Sequence, residues 1–385
     1  MVAAVRQGRS QRSVARDFRV SLATVQYWVQ RAEGQRLSRV DWGDRLSRPQ
    51  RTRRTPAARE DRVLTLRREL RETSVLGEGG AAAIHRTWQA RWVTPPPAVR
   101  TIGRILERRG ALDGRRRVRR PPPPPGWFLP AVAAGAAEVD CFDVIEGLVI
   151  KGGPEVEVLT GLALRAGRPA AWPAAAVTAA RVVEALVGHW QAAGLPPYAL
   201  FDNDTRFQGP HQFPDTVGRV TRLCLQLRLV PIFAPPREPG FQGALENFNG
   251  RWQAKVWARF RHDSLAGLQA QSARYIAAYR HRVAARVEAA PPRRPFPTAW
   301  RFDLQIPPRG LVIFLRRTDP QGRVALLGHT FDVSPDWPHR LVRAEVRVPH
   351  GPIRLFALRR RDPGHQPLLR EIPYRLPKNR WRLTE

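Results

Sequence analysis

Carboxylates stand at three places in this chain where the neighbouring residues would hold them in position. Asp202 closes the apolar run Tyr198-Ala199-Leu200-Phe201 and opens the turn-like segment Asn203-Asp204-Thr205-Arg206-Phe207. Glu246 lies in Gly243-Ala244-Leu245-Glu246-Asn247-Phe248-Asn249, at the start of an expected helix. Asp140 sits inside Ala137-Glu138-Val139-Asp140-Cys141-Phe142, a segment with strand character. Taken singly, Asp202 could cap a turn and Glu246 could favour a helix N-terminus. A carboxylate buried in an apolar strand is costly unless something compensates it, which makes Asp140 harder to explain away. Three converging carboxylates would repel one another without a cation, and hard oxygen donors suit Mg²⁺ or Mn²⁺. Two such ions can support in-line displacement at phosphorus by activating the attacking oxygen and stabilising the leaving one.

The composition names a matching substrate class. Lys and Arg number 65 against 33 Asp and Glu, for a formal charge of +32, so the expected partner is a polyanion. Charge of this kind supports phosphate binding and counterion release but specifies neither a base sequence nor a reaction. The two cysteines, Cys141 and Cys224, lie in apolar runs and suggest neither a disulfide framework nor a zinc site. No apolar run reaches about 18 residues and no signal-like start is seen, so the expectation is a cytoplasmic, nucleoid-associated bacterial protein with no membrane or small-molecule partner.

Alternating and periodic apolar residues predict the elements that would carry the carboxylates. Strands are expected around Val139–Phe142 and Leu148–Ile150, with a hairpin at Gly152-Gly153 and a returning strand over Glu155–Leu164. Helices over Ala174–Ala193 and Val217–Leu227 alternate with short strands at Tyr198–Phe201 and Leu229–Ala234, which predicts a mixed α/β domain.

Two helical units are expected upstream. Ser10 should cap a helix carrying Val14 and Phe18 on one face, and Ser21 a second helix, Leu22–Arg31. Val20, Val25, Trp28 and Val29 would face inward, leaving Thr24, Gln26, Tyr27, Gln30 and Arg31 outward. From Arg59 to Arg109 a further unit ends in a helix with Val99, Ile102, Ile105 and Leu106 as its apolar stripe and Arg100 and Arg104 on its exposed side. The Arg115–Arg120 run followed by Pro121–Pro125 cannot form a packed core and reads as a linker. Beyond the break at Pro291–Pro297, short alternating strands predict a small β-domain.

The first helical pair resembles the helix-turn-helix of bacterial transposases and regulators, whose second helix enters the major groove. Phe201-Asp202-Asn203-Asp204-Thr205-Arg206-Phe207 resembles the Asp-Asn-Gly-x-x-Phe signature of integrase catalytic cores. Pro235-Pro236 with Gly243-Ala244-Leu245-Glu246 resembles their Pro-x-x-x-Gly-x-x-Glu helix start. The family is that of insertion-sequence transposases related to retroviral integrases. The resemblance implies a multidomain chain: N-terminal all-α helix-turn-helix units, a central α/β RNase H-like core with a mixed five-stranded sheet, and a small all-β C-terminal barrel. The expected divisions are 1–35, a basic linker at 36–58, a second helix-turn-helix or winged-helix-like unit at 59–112, an Arg/Pro linker at 113–130, the catalytic core at 131–297, the barrel at 303–362 and a basic tail at 363–385.

By position, the resemblance implies a catalytic and metal-binding triad of Asp140, Asp202 and Glu246 holding two Mg²⁺ or Mn²⁺ ions. Asp143 or Asp204 stands as an alternative ligand. Thr24, Gln26, Tyr27, Arg31, Arg100, Arg104, Arg251, Lys255 and Arg259 become candidates for contacting double-stranded DNA, the last three as one stripe of the helix that starts near Glu246. The interval from Asp202 to Glu246, 246 − 202 = 44 residues, is longer than is usual in that family and implies an insertion around Gly209–Thr216. Asp204 replaces the signature glycine, and Asn247 stands where relatives often carry arginine. The implied activity is hydrolysis of a phosphodiester to expose a 3′-hydroxyl and transfer of that hydroxyl to target DNA, by a homo-oligomer acting on the element's terminal repeats. The runner-up is a DNA-binding regulator or transposition inhibitor with a decayed core; an RNA-processing nuclease fits less well with two leading DNA-binding units.

Overall fold

The computed structural model describes residues 1–43, 54–112, 125–209, 213–238 and 240–377. The Arg115–Arg120 run with Pro121 to Pro124, the middle of the 36–58 linker and the end of the 363–385 tail lie outside the described residues. The chain divides into two compact units, Met1–Glu60 and Asp61–Glu385.

In the first unit, α1 (Val2–Arg6), α2 (Gln11–Asp17) and α3 (Leu22–Arg31) pack around Val14, Ala15 and Val25. The helix starts are set as the sequence predicts: Ser10 accepts from the Ser13 N–H and Ser21 from the Thr24 N–H, each satisfying an otherwise orphaned donor. Phe18, expected on one helix face with Val14, is half exposed while Val14 is buried, and α2 ends one residue before it, at Asp17.

The second unit takes up α4 (Ala57–Thr73) from Asp61 on and continues with α5 (Ala81–Arg91) and α6 (Val99–Arg108), whose apolar faces meet at Val63, Leu66, Ile84, Trp88, Ile102, Ile105 and Leu106. Val99, expected in that stripe, is largely exposed in the first turn of α6.

The short α7 (Pro130–Ala133) leads into the sheet. Its strands in chain order are β1 (Val139–Val149), β2 (Glu155–Ala163), β3 (Pro169–Ala174), β4 (Tyr198–Phe201), β5 (Val230–Phe233), β6 (Gly310–Arg317), then the separate hairpin β7 (Arg323–Leu326) and β8 (His329–Asp332), and finally β9 (Leu341–Val348), β10 (His350–Ala357) and β11 (Leu368–Arg375). The helices between them are α8 (Ala179–Ala193), α9 (Thr205–Gln208), α10 (Arg219–Gln226), α11 (Gly243–Trp252), α12 (Leu265–Arg282) and α13 (Ala284–Glu288).

The main sheet is mixed and nine-stranded, in the order β11-β10-β9-β6-β5-β4-β1-β2-β3. This corrects two expectations. The five strands β3-β2-β1-β4-β5 are present, but β6 adds to β5 in parallel through Ile232↔Ile313 and Phe233↔Phe314, so the sheet does not stop there. The C-terminal strands continue it instead of closing a separate small barrel, and β11 occupies part of the stretch expected as a basic tail. β3, with Pro169 and Pro173, escaped the sequence reading; it is an edge strand, where a missing backbone donor costs little.

Helices cover both faces. On one, α8 and α10 bury Val182, Leu186, Trp190, Val220 and Leu223 against Phe142, Phe201 and Phe233. On the other, α11 and α12 bury Leu245, Phe248, Trp252, Leu268 and Tyr275 against Val139, Cys141, Ile145, Leu200 and Ile232. Successive residues of a strand point to opposite faces, so the parity of a residue in β1 decides which helices it meets.

Candidate active site

Asp202 follows the last residue of β4, where the chain leaves the sheet and its carboxylate can face the open end. β1 runs parallel to β4 with Val139 opposite Tyr198, Asp140 opposite Ala199 and Cys141 opposite Leu200. Continuing that register by two residues sets Asp143 level with Asp202. Asp140 is three residues back along the strand and, by parity, on the other face.

The side chains bear this out. Asp140 is fully buried on the α8 face, where it accepts from Trp190 Nε1 at 3.1 Å and from Arg293 at 2.5 and 2.9 Å, with His189 Nε2 3.5 Å away. Burial would push its carboxyl up, but the His189 hydrogen bond and the Arg293 charge hold it well below the usual carboxylate range. Asp140 is therefore a buried ion-pair partner of Arg293, and it does not line the cleft that holds Asp202 and Glu246. The compensating partner that its burial requires is an arginine 153 positions away.

Asp143, Asp202 and Glu246 line one open cleft of about 560 Å³, together with Asn203, Asp204, Ala234, Pro235, Phe241 and Gln242. Glu246 comes from the first turn of α11, and its Oε1 accepts from the Gly240 N–H at 3.3 Å. One turn on, Asn249 donates Nδ2 to Asp143 Oδ2 at 2.8 Å, which ties α11 to β1 at the carboxylate itself. Burial raises the Asp143 carboxyl and the charge of Glu246 raises it further, against hydrogen bonds from the Val144 N–H and Asn249 that lower it. Burial lifts Asp202 to about 6, with the charge of Asp143 adding to the rise and a hydrogen bond from the Asp204 N–H opposing it. Asp143 is thus the shared member of two repelling pairs, one with Asp202 and one with Glu246.

Asp204 has another task. It caps α9 through the Arg206 N–H and binds the Arg206 guanidinium, which also reaches Glu146 and Glu157. Gln242 went unassigned in the sequence, yet it is buried at the cleft with neither amide atom hydrogen-bonded among the described residues. Its only sequence signal is its place four residues before Glu246, one helical turn away.

These residues fit divalent ions in donor chemistry: three carboxylates line one cleft, and burial, with repulsion from a neighbouring carboxylate, raises Asp143 and Asp202 above the usual range. Among the described residues no group of three such side chains is close enough to enclose one ion.

The candidate DNA-contacting residues fare unevenly. Gln26 and Tyr27 on α3 and Arg100 and Arg104 on α6 are exposed, and Thr24 is partly so. Arg31 is folded back: its guanidinium lies 4.9 Å from the Trp28 ring and pairs with Asp41 at 3.0 Å. Arg251, Lys255 and Arg259 span the end of α11 and a π-turn at Gln253–Trp257; Arg251 and Lys255 line one cavity, and Lys255 and Arg259 both approach Gly77. Arg259 is committed to the carbonyls of Ser74, Glu72 and Arg71, at 2.7, 2.6 and 3.2 Å. A larger cavity of about 680 Å³ lies by β3, between α8 and α12, and contains none of Asp143, Asp202 and Glu246.

No protein-family model and no curated protein matches the chain. Among solved structures, the chain is similar to the catalytic core domain of BIV integrase, at 16% identity over 36% of this chain and 81% of that one, with a TM-score of 0.29. It is also similar to a chain of the simian T-cell lymphotropic virus intasome bound to PP2A regulatory subunit B56 gamma, at 14% identity over 77% and 93%, TM-score 0.35. A third is the HTLV-2 integrase catalytic core in complex with magnesium, at 13% identity over 35% and 81%, TM-score 0.27. Likeness this slight leaves the chemistry of the site to its own residues.

Proposed function

We propose that this protein is a metal-dependent polynucleotidyl transferase that cuts and joins DNA, a transposase or integrase-like recombinase. The observation that carries the reading is the meeting of Asp143, Asp202 and Glu246 on one open cleft in a chain of charge +32. In this reading Asp143 takes the place that the sequence resemblance gave to Asp140.

Asp143 with Asp202, and Asp143 with Glu246, would hold two Mg²⁺ or Mn²⁺ ions. Bound there, such ions supply activation of the attacking oxygen and stabilisation of the leaving oxygen in an in-line displacement. The chain's own residues fix the geometry. Asn249 orients the Asp143 carboxylate, the parallel β1–β4 register sets Asp143 beside Asp202, and the start of α11 presents Glu246 from the opposite wall. The buried Gln242 amide offers an unused donor and acceptor to a substrate in the cleft. Arg237 also lines the cleft, and the net charge of +32 over the whole chain supplies attraction for a DNA backbone.

The helical units at 1–35 and 59–112 are assigned to recognition of the element's ends, with Gln26, Tyr27, Arg100 and Arg104 as the exposed contacts. Joining two ends requires two active sites, so a homo-oligomer on DNA, in the bacterial cytoplasm, is part of the proposal. No helix among the described residues is long and apolar enough to cross a membrane.

The test is nicking and strand transfer on DNA carrying the ends of the encoding element, with Mg²⁺ or Mn²⁺. The native chain should be active and Glu246→Gln inactive while still binding the DNA. Binding without cleavage by the native chain in either metal would overturn the enzymatic reading.

A further inference from the structure

A second cavity, of about 410 Å³, lies where the α4–α5 connection meets α11, the π-turn and α12. Four cations line it: Arg86 of α5, Arg251 and Lys255 of the α11 region, and Arg282 at the end of α12. One carboxylate, Glu78, stands among them, and it is shared, accepting from Arg86 at 3.1 Å on one oxygen and pairing with Arg282 on the other. Arg251 meets only the Tyr279 hydroxyl, at 3.3 Å, and Lys255 has no ion-pair partner among the described residues. Convergence of four cations on one carboxylate leaves excess positive charge in a partly enclosed space, which an anion would relieve.

The backbone is shaped to allow this. Gly77 adopts a positive φ of +58°, and a Cβ there would sit 2.8 Å from Lys255 Cδ, so the glycine makes room for the lysine stem. The chain then turns through Gly79 and Gly80 into α5, whose first turn has no side-chain cap. Tyr275 and Tyr279 form an aromatic wall, with the Arg282 guanidinium 5.6 Å from the Tyr279 ring.

We propose that this cavity is a phosphate-binding site that grips the DNA backbone at the junction of the α4–α6 unit and the catalytic sheet. The proposal rests on the reading of the protein as a DNA-cutting enzyme and adds a backbone contact outside the carboxylate cleft. Arg251 and Lys255 are its uncompensated cations, and Arg86 and Arg282 complete it by turning from Glu78 toward the phosphate.

The experiment measures binding of a labelled random-sequence duplex by fluorescence anisotropy across a salt series. It compares the native protein, Arg251→Gln with Lys255→Gln, and a charge-matched control, Arg301→Gln with Arg309→Gln, both control positions being exposed. Each lost phosphate contact should reduce the magnitude of the salt slope by about 1, so the test pair should fall by about 2 and the control pair by much less. Thermal melts confirm that both pairs fold. Equal slopes and affinities for the two pairs would overturn the site while leaving the enzymatic reading in place. A native chain that binds no duplex even at low salt would overturn both.

Discussion

Asn249 of α11 donates its side-chain amide to the Asp143 carboxylate of β1 at 2.8 Å, across 106 positions of sequence. That bond lies on the face opposite the buried Asp140–Arg293 pair, so one carboxylate of β1 lines the open cleft and the other is enclosed in an ion pair.

Asn249 should therefore behave as a positioning residue. Asn249→Ala frees the Asp143 carboxylate and is expected to lower cleavage by roughly 10- to 100-fold, as loss of an outer hydrogen bond to a metal ligand does. A purely structural role would lower the melting temperature and leave the metal requirement alone. The expected outcome is the reverse: a near-native melting temperature and a higher Mn²⁺ concentration for half-maximal activity.

Asp140→Asn is expected to act on stability. It leaves the Arg293 guanidinium, itself mostly buried, without its counter-charge, at a cost of about 3–5 kcal/mol. Because the folded-state value of Asp140 is depressed, its contribution is present above the ordinary carboxylate range and is lost only as pH falls through the lowered value. The stability gap between native and variant proteins should hold steady from neutral pH down to about 5, as followed by denaturant unfolding.

Asp202 has the opposite sign. Its folded-state value is raised to about 6, so the fold disfavours the charged form. Without metal, Asp202 weakens the fold fully above that value and not at all below the ordinary carboxylate value. Asp202→Asn should stabilise the metal-free protein by on the order of 1–2 kcal/mol near neutral pH, allowing for partial exposure, with the gain vanishing below about pH 4. A variant no more stable than native at neutral pH would contradict the assignment.

These relationships mark where the sequence could be read and where it could not. The caps at Ser10 and Ser21, the delivery of Asp202 by a short strand and the place of Glu246 at a helix start are local, and all were legible. The choice between Asp140 and Asp143 was not. It depends on strand parity and on the β1–β4 register, and both residues sit in the same apolar strand. The addition of β6 to β5 rests on a parallel pairing of residues 81 apart, Ile232 with Ile313, which no local pattern announces. Arg251, Lys255 and Arg259 fit a single α-helical stripe by spacing, but the spacing does not reveal that Arg259 is taken up by the carbonyls of Arg71, Glu72 and Ser74.

Arg259 shows the consequence. Its three bonds reach carbonyls at and just beyond the end of α4, where a helix leaves acceptors unsatisfied and favours positive charge. Arg259→Ala should destabilise the protein by about 1–3 kcal/mol and make the 74–80 connection more sensitive to limited proteolysis. Its effect on the salt dependence of duplex binding should be small, unlike that of Arg251 and Lys255.

The most direct test of the carboxylate assignment is calorimetric titration of Mn²⁺ into the native protein, Asp143→Asn and Asp140→Asn, each shown to be folded at the temperature used. The assignment predicts that Asp143→Asn abolishes or strongly weakens Mn²⁺ binding while Asp140→Asn, though less stable, binds as the native protein does. Retained binding in Asp143→Asn together with lost binding in folded Asp140→Asn would contradict it.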